Sequence, residues 1–216
     1  MVRRKLVGLL LCSLVMVLAN TSWAGIPDLD YCDAVSAYAN QVAVYNLPNG
    51  NGKPLTEARY SSGVGNTTVV DATITLTVRD TNQDPIFLYP SEDMWLEGTL
   101  GGLKLCPGGS VADFSTNANG VTTFSVTKLA GGQTNPATEQ TVVMISGSPM
   151  NSDLLNIQWN SPDINGDLIV NLTDTVFYAG DATGGVYKFR SDFLYDSRLN
   201  LSDTVLYAQG IGAACP

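Results

Sequence analysis

Residues Ala72-Thr73-Ile74-Thr75-Leu76-Thr77-Val78 decide the fold of the larger part of the chain. The apolar residues alternate with threonine, and this period of two is typical of a β-strand with one buried face. The turn-forming residues 80–85 follow, and a second apolar run occupies residues 86–89. We therefore predict two strands joined by a turn in this region.

Similar short apolar units lie on both sides of this stretch, separated by turn-forming residues. The further predicted strands are residues 41–45, 94–96, 121–126, 141–145 and 155–159. No convincing helical pattern lies between them. Short strands at this spacing indicate a β-sandwich, and we place it in residues 25–160.

Two segments of this region resemble bacterial immunoglobulin-like domains of the invasin type. In residues 72–89, a threonine-alternating strand leads through an Asp-x-x-x-x-Pro turn into an apolar strand. In residues 115–132, a Thr-x-x-x-Gly-x-x-x-Phe stretch leads into Ala130-Gly131-Gly132. The resemblance implies an immunoglobulin-like sandwich with a load-bearing or spacer role in a surface protein, and it carries no catalytic residues.

The first 24 residues have the pattern of a secretory signal peptide. Basic residues at 3–5 precede an apolar run at 6–18, and Ser22 and Ala24 place small side chains at the positions that a signal peptidase recognises. We expect cleavage before Gly25, which predicts a secreted or cell-surface protein; an uncleaved signal anchor is the alternative. No later segment approaches the roughly 20 apolar residues of a membrane helix, so we expect no membrane span in the mature chain.

The composition restricts the chemistry of the protein. The 216 residues include 11 Lys and Arg, 20 Asp and Glu, and no histidine. The absence of histidine excludes Ser-His-Asp and Cys-His nucleophiles, an imidazole base and a His-ligated zinc. Without the three basic residues of the signal peptide, 8 basic and 20 acidic residues remain in 192, a formal charge of −12.

This charge balance argues against nucleic-acid binding, because such binding depends on basic side chains that release phosphate counterions. Carboxylates remain available as ligands for hard cations. We therefore predict a protein that is not an enzyme and that uses part of its acidic surplus to bind metal ions.

Three cysteines remain after signal cleavage, Cys32, Cys106 and Cys215, in a compartment where thiols oxidise. Three cysteines allow one disulfide and leave one thiol over. We expect an intrachain bond and a buried free thiol. An intermolecular bond through the odd cysteine is the alternative, and the sequence does not choose the pairing.

Residues 161–216 contain an internal repeat. Val-Asn-Leu-Thr-Asp-Thr-Val-Phe-Tyr-Ala-Gly at 170–180 recurs as Leu-Asn-Leu-Ser-Asp-Thr-Val-Leu-Tyr-Ala-Gln at 199–209, with seven of eleven positions identical. Apolar residues at i, i+4 and i+7 predict that each repeat starts an amphipathic helix. These residues are Leu172, Val176 and Ala179 in the first repeat and Leu201, Val205 and Ala208 in the second. We expect two antiparallel helices that pack these faces together in a small second domain.

The segment before the first helix has the ligand spacing of an EF-hand calcium loop over residues 163–174. Oxygen-bearing side chains occupy loop positions 1, 3, 5, 9 and 12, and position 7 offers its backbone carbonyl. The predicted ligands are Asp163, Asn165, Asp167, Ile169 through its carbonyl, Asn171 and Asp174. Loop position 6 is Leu168, where the chain is expected to turn with a positive φ that favours glycine.

A second, weaker loop spans residues 192–203. Its predicted ligands are Asp192, Asp196, Arg198 through its carbonyl, Asn200 and Asp203. Position 3 is Leu194, which has no side-chain oxygen. We therefore expect Ca²⁺ at both loops, with the lower affinity at the second.

Residues 162–212 resemble type I dockerin modules. Both loops close with Asp rather than Glu, and an Asp-x-Asn-x-Asp pattern followed by Asn-x-x-Asp lies ahead of a helix with no helix before the loop. The resemblance implies calcium-dependent folding, EF-hand-type loop–helix repeats and docking to a cohesin. In that family loop positions 10 and 11 select the cohesin; here they are Leu172-Thr173 and Leu201-Ser202 rather than Ser-Thr.

These features predict a mainly β protein with three segments: a signal peptide at 1–24, an immunoglobulin-like β-sandwich at 25–160 and an α-helical dockerin-like domain at 161–216. We expect a structural or adhesive role at the cell surface, as the self-assembling subunit of an extracellular fibre. The alternative is a module that docks to a cohesin-bearing scaffold.

Overall fold

Residues 25–160 contain twelve short strands in a computed structural model that describes residues 25–216. The predicted signal peptide lies outside the described residues. The strands are β1 (Asp33–Ser36), β2 (Val42–Tyr45), β3 (Ala58–Gly63), β4 (Asn66–Val70), β5 (Ile74–Thr77), β6 (Met94–Gly98), β7 (Leu103–Leu105), β8 (Val121–Phe124), β9 (Ala130–Gly132), β10 (Thr141–Ile145), β11 (Ser148–Pro149) and β12 (Ile157–Asn160). Two α-helices follow, α1 (Leu172–Thr183) and α2 (Leu201–Gly210).

The strands form four small sheets in the described part of the chain. Their spatial orders are β1-β5-β8, β11-β10-β6, β12-β2-β3-β4 and β7-β9. All neighbours are antiparallel except β12 and β2, which run parallel with Trp159 opposite Val44. The predicted class, mainly β followed by two helices, is confirmed at this level, and the β part consists of several small sheets.

One hydrophobic core joins strands from separate sheets. In β5, Ile74 and Leu76 are fully buried whereas Thr75 is exposed, as the alternation predicts. Trp159 of β12 is also fully buried, and its indole N–H donates to Thr141 Oγ1 at 2.7 Å, which satisfies its polar atom. The core also contains Val44, Met94, Leu96, Phe124, Val143, Ile145 and Ile157.

The structure corrects one predicted strand. Residues 86–89 form a turn in which Leu88 has a φ of 58° and both Phe87 and Leu88 are exposed. The chain is held there by Thr116, whose carbonyl and hydroxyl accept from the N–H groups of Leu88 and Tyr89 at 2.9 and 2.8 Å. Only Ile86 and Tyr89 of this apolar run reach the core.

The helices have predicted positions but the opposite packing face. Leu172 and Val176 are 77% and 66% exposed, whereas Tyr178 and Tyr207 are buried and stack with their ring centroids 4.6 Å apart. The expectation that the Leu-Val-Ala faces pack together is therefore wrong. Asp174 and Asp203 must face the loops from the first turn of each helix. The tyrosine one turn later shares that inward face.

The C-terminal end of the chain is linked to the β part. A disulfide joins Cys106 to Cys215, and Cys32 is a buried free thiol, which confirms the expected intrachain bond. A second hydrophobic cluster combines residues of the β part with the C-terminal part. It consists of Tyr45, Leu47, Ile164, Val170, Tyr178, Phe193, Tyr207 and Ala213.

Neither α1 nor α2 has the length and apolar character needed to cross a bilayer, and the same holds for every other helix of residues 25–216.

Candidate metal centres

Each predicted loop brings three carboxylates together. Ligand oxygens of Asp163, Asp167 and Asp174 lie within 4.8 Å of one another, and those of Asp192, Asp196 and Asp203 do the same. Asp167 is exposed, whereas the other five residues are buried. Within residues 25–216, none of the six forms an ion pair with Lys or Arg.

The first loop folds around its own carboxylates. Asp163 Oδ1 accepts from the backbone N–H groups of Gly166 and Asp167 at 3.0 and 3.1 Å, and its Oδ2 accepts from Leu168 at 2.9 Å. Asp174 spans the ends of the loop, because its two oxygens accept from the N–H groups of Asn165 at 3.1 Å and Asn171 at 2.9 Å. The carboxylates at positions 1 and 12 therefore fix the curvature of the loop.

The second loop repeats this pattern. Asp192 accepts from the N–H groups of Asp196 and Ser197 at 3.1 and 2.8 Å. Asp203 accepts from Leu194 and Asn200, each at 3.0 Å. The missing oxygen at position 3 does not change the path of the backbone, because that position contributes its N–H group in both loops.

The backbone at loop position 6 turns as predicted. Leu168 has a φ of 68° and the equivalent Ser197 a φ of 64°. Position 4 is also left-handed, with Gly166 at 73° and Tyr195 at 56°. A non-glycine residue in this region costs about 1 kcal/mol, so the sequence accepts strain here to keep the loop curled.

The other predicted ligands lie in the same loops and hydrogen-bond within them. Asn165 Nδ2 donates to Asp167 Oδ2 at 2.9 Å, and Asn171 Nδ2 donates to the carbonyl of Ile169 at 3.2 Å. Asn200 Nδ2 donates to Asp196 Oδ2 at 3.4 Å, and Arg198 N donates to Asp196 Oδ1 at 3.0 Å. Asn171 and Asn200 also cap α1 and α2, each as part of a capping box with the Asp at position 12.

The electrostatics of both clusters favour a cation. Burial raises the pKa of Asp163, and the neighbouring carboxylates of Asp174 and Asp167 raise it further against the hydrogen bond from Leu168. Burial raises the pKa of Asp192 to about 6, with a smaller contribution from Asp203. Confined carboxylates without a counter-charge repel one another, and a bound cation removes that repulsion.

Sequence reasoning missed one residue at the second cluster. Tyr187, which precedes the loop, donates its hydroxyl to Asp192 Oδ2 at 2.8 Å. No spacing rule for calcium loops points to this position, because it lies five residues before the loop begins. The tyrosine gives Asp192 a donor that Asp163 lacks.

Both loops also lie directly against the β part. Gly132 N of β9 donates to the carbonyl of Asp163 at 3.0 Å, and Gly131 leaves no room for a Cβ beside the Asp163 carboxylate. In the second loop, Asn160 Nδ2 and Gly65 N donate to the carbonyls of Asp192 and Asp196, each at 2.6 Å. The loops therefore connect the helices to the ends of strands β9, β12 and the β3–β4 hairpin.

The donor set fits Ca²⁺. Carboxylates, amides and backbone carbonyls supply only hard oxygen atoms, the ligands that Ca²⁺ takes in sets of six to eight. Neither loop contains a cysteine or histidine that would suit a softer metal.

No protein-family model matches the chain, and no curated protein matches it. Among solved structures, the chain is similar to the one described as the crystal structure of the Lin-41 filamin domain, at 14% sequence identity and a TM-score of 0.28. The match covers 61% of this chain and 95% of that chain. At this TM-score the similarity carries no argument about function.

Proposed function

We propose that this chain is a secreted, non-enzymatic structural or adhesive surface protein that is stabilised by two Ca²⁺ ions. The observation that carries the proposal is the pair of matched carboxylate clusters, each with its three ligand atoms within 4.8 Å of one another. Five of these six carboxylates are buried, and none of the six forms an ion pair with a described Lys or Arg. Such burial costs stability, so the arrangement needs a cation to offset it.

The side chains of Asp163, Asn165, Asp167, Asn171 and Asp174, with the carbonyl of Ile169, would hold the first ion. Asp192, Asp196, Asn200 and Asp203, with the carbonyl of Arg198, would hold the second. Bound Ca²⁺ supplies positive charge that neutralises the carboxylates. Hydrogen bonds to the carboxylates at positions 1 and 12 already curve the backbone of both loops. The ion would therefore bind without a large rearrangement of the loop backbone.

Calcium would also brace the whole molecule, because the same residues contact the β part. Asp163 bonds to β9 through its carbonyl while its carboxylate faces the ion, and Asp192 and Asp196 make equivalent bonds to Asn160 and Gly65. An ion that stabilises either loop therefore also stabilises the hydrogen bonds between that loop and the β part. Such bracing suits a protein that bears load outside the cell.

We infer an immunoglobulin-like sandwich for the β part. The order β1-β5-β8 corresponds to strands A, B and E of that fold, and β6-β10-β11 corresponds to C, F and G. Both sheets contribute to one core, as the two layers of a sandwich do. Strands β2–β4 would then be an insertion between A and B.

Isothermal titration calorimetry with Ca²⁺ tests the proposal that the two loops bind this ion. We expect two binding events on the chain that starts at Gly25, with the loop at 163–174 binding more tightly than the loop at 192–203. Asp174→Ala should remove the tighter event and Asp203→Ala the weaker one. A titration without heat, together with a melting temperature indifferent to chelator, would contradict the proposal.

Electron microscopy of the secreted native protein tests the fibre. A fibre requires a head-to-tail contact that does not close into a ring. We expect filaments in the presence of calcium and their loss or shortening in chelator. Monomers alone in calcium would argue strongly against self-assembly while leaving calcium binding intact.

The second candidate function, docking to a cohesin-bearing scaffold, is favoured by the exposed apolar residues of the two helices. Leu172 and Leu201 are each 77% exposed, and Val176 and Val205 are 66% and 48% exposed. A pull-down against purified cohesins tests it. Binding that is lost in Asp163→Ala supports docking, and no binding to any cohesin counts against it.

A further inference from the structure

Three Asn-x-Ser/Thr sequences occur in the described chain, at Asn66-Thr67-Thr68, Asn171-Leu172-Thr173 and Asn200-Leu201-Ser202. In a secreted protein this pattern is the acceptor sequence for N-linked glycans. The secretion of the chain is part of the proposed function, and the inference below rests on that part alone. The three sites differ sharply in whether their side chains are free to react.

The side-chain amides of Asn171 and Asn200 are engaged in hydrogen bonds within the protein. Their Oδ1 atoms accept from the N–H groups of Thr173 and Ser202 at 2.7 and 2.8 Å, and so cap the two helices. Their Nδ2 atoms donate to the carbonyl of Ile169 and the carboxylate of Asp196. A sugar on either nitrogen would leave it a single N–H donor and place a bulky group inside a calcium loop.

Asn66 is free. Its side chain is exposed and makes no hydrogen bond to any described residue, and it lies at the first position of β4, directly after an exposed tight turn. Thr68, the residue that completes the sequence, is also exposed, and its hydroxyl has no described partner. Between them, Thr67 is anchored, because its hydroxyl donates to the carbonyl of Tyr60 at 3.2 Å. Both groups that an acceptor sequence needs are therefore presented to solvent.

A glycan at Asn66 would also protect the free edge of a β-sheet. Strand β4 is the last strand of its sheet, so its outer edge is unpaired in the described part of the chain, and Val69 on it is 53% exposed. An unpaired, partly apolar edge can add a strand from another molecule and aggregate. Natural proteins cover such edges, and a hydrated glycan at the start of β4 would do so.

We propose that Asn66 carries an N-linked glycan that shields the free edge of β4. A lipid-phosphate-linked sugar is the donor. A bond forms between Asn66 Nδ2 and the anomeric carbon of the sugar, and the bond from that carbon to the phosphate oxygen breaks. Nδ2 loses one proton, and the lipid phosphate leaves with the electron pair of the broken bond.

Mass spectrometry of peptides from the secreted native protein tests the proposal. We expect a sugar mass on the peptide that contains Asn66 and none on the peptides that contain Asn171 and Asn200. In cells that secrete the variants, Asn66→Gln and Thr68→Ala should each remove the sugar mass, whereas Thr68→Ser retains the acceptor sequence and should keep it.

The outcomes separate this proposal from the one on which it rests. An unmodified Asn66 on a chain that begins at Gly25 would overturn the glycan and leave secretion intact. Recovery of the protein only from inside the cell, with residues 1–24 attached and Asn66 unmodified, would overturn both. A sugar on Asn171 or Asn200 instead of Asn66 would contradict the argument from side-chain accessibility.

Discussion

At the residue scale, the chain buries charge in two different ways. The carboxylates of the two loops lie together without a basic partner, whereas Asp113 faces Lys128 across 3.4 Å with both side chains 2% exposed. A buried carboxylate needs either a cation or a basic side chain. Asp113 pairs with Lys128, whereas no described Lys or Arg forms an ion pair with the loop carboxylates, and this difference distinguishes an ion pair from a candidate metal site.

We predict that Asp113→Asn destabilises the protein by about 3–5 kcal/mol at neutral pH, because it leaves Lys128 buried and unpaired. Burial opposes the charge of Asp113, but the hydrogen bonds from Ser125 and the charge of Lys128 outweigh it and lower the pKa of Asp113. The wild-type contribution is therefore present above the unfolded-state pKa and is lost as the pH falls through the lowered folded-state pKa.

Urea unfolding at neutral pH and at about pH 3, below the ordinary aspartate pKa, measures this effect. The difference between wild type and Asp113→Asn should shrink at the lower pH. Asp84→Asn is the matched control, because Asp84 is exposed and its carboxylate makes no hydrogen bond to a described residue. Equal stability of wild type and Asp113→Asn at both pH values would contradict the role of the pair.

Substitution of Gly131 tests the contact between the first loop and β9. Gly131→Ala should weaken calcium binding and lower the melting temperature, because its Cβ would collide with the Asp163 carboxylate. Gly180→Ala is the control, since no atom apart from its chain neighbours and the backbone of its own helix lies within 4 Å of a Cβ at that position. That change should stabilise the protein by up to about 1 kcal/mol. Calcium affinity that is unchanged in Gly131→Ala would show that the loop can move away from β9 without loss.

At the element scale, the helices show what the sequence could not predict. The repeat and the spacing of Asp163, Asp174, Asp192 and Asp203 located both loops and the starts of α1 and α2. Apolar periodicity pointed to the wrong helix face, because it does not register that Asp174 and Asp203 must turn inward. Tyr178 and Tyr207, on the same face as those carboxylates, supply the buried aromatic surface instead.

We predict opposite effects for the two helix faces. Tyr178→Ala should cost about 3 kcal/mol or more, since it removes a buried aromatic ring from the stack with Tyr207. Val176→Ala should change the free energy of unfolding by no more than about 0.5 kcal/mol, because that side chain is 66% exposed. Chemical denaturation of both variants in saturating calcium makes the comparison. A larger loss in Val176→Ala than in Tyr178→Ala would contradict the observed packing.

The strands also divide into those that the local sequence predicts and those that it does not. Alternating apolar residues located β5, one face of which meets the core. Short apolar units between turn-forming residues located β8 and β10, and β10 is buried at four of its five positions. The apolar run at 86–89 looked equally convincing but forms a turn around Thr116, a contact 27 or more residues away in sequence that no local pattern encodes. Strands such as β3 and β4 carry few buried residues, so periodicity gave no sign of them.

At the scale of the whole molecule, the β part and the helical part are joined by covalent and non-covalent links. The disulfide spans 109 residues, from the β7 side of the chain to its last segment. Close to it in sequence, the backbone of Val170 and that of residues 212–213 exchange hydrogen bonds of 2.8 and 2.9 Å. The C-terminal segment is therefore fixed against the first loop.

Loss of this disulfide should reduce stability by up to about 4–5 kcal/mol, the value that loop-closure entropy gives for a loop of roughly 100 residues. The measurement is the free energy of unfolding of Cys106→Ala/Cys215→Ala against wild type. Non-reducing peptide mapping should show the Cys106–Cys215 peptide and a free Cys32. A peptide that links Cys32 to either partner would contradict the assigned pairing.

The central claim, that calcium stabilises the folded chain through these loops, is tested most directly by thermal melting with calcium and with chelator. Ligand that binds only the folded state adds about 2.7 kcal/mol at 100 times its dissociation constant. We predict a higher melting temperature in calcium than in chelator for wild type and for the control Asp84→Ala, and a smaller calcium-dependent rise for Asp163→Ala. Each variant is compared with itself in chelator, because the Asp163 carboxylate also accepts backbone hydrogen bonds without the ion. A wild-type melting temperature that is the same in calcium and in chelator would contradict the account.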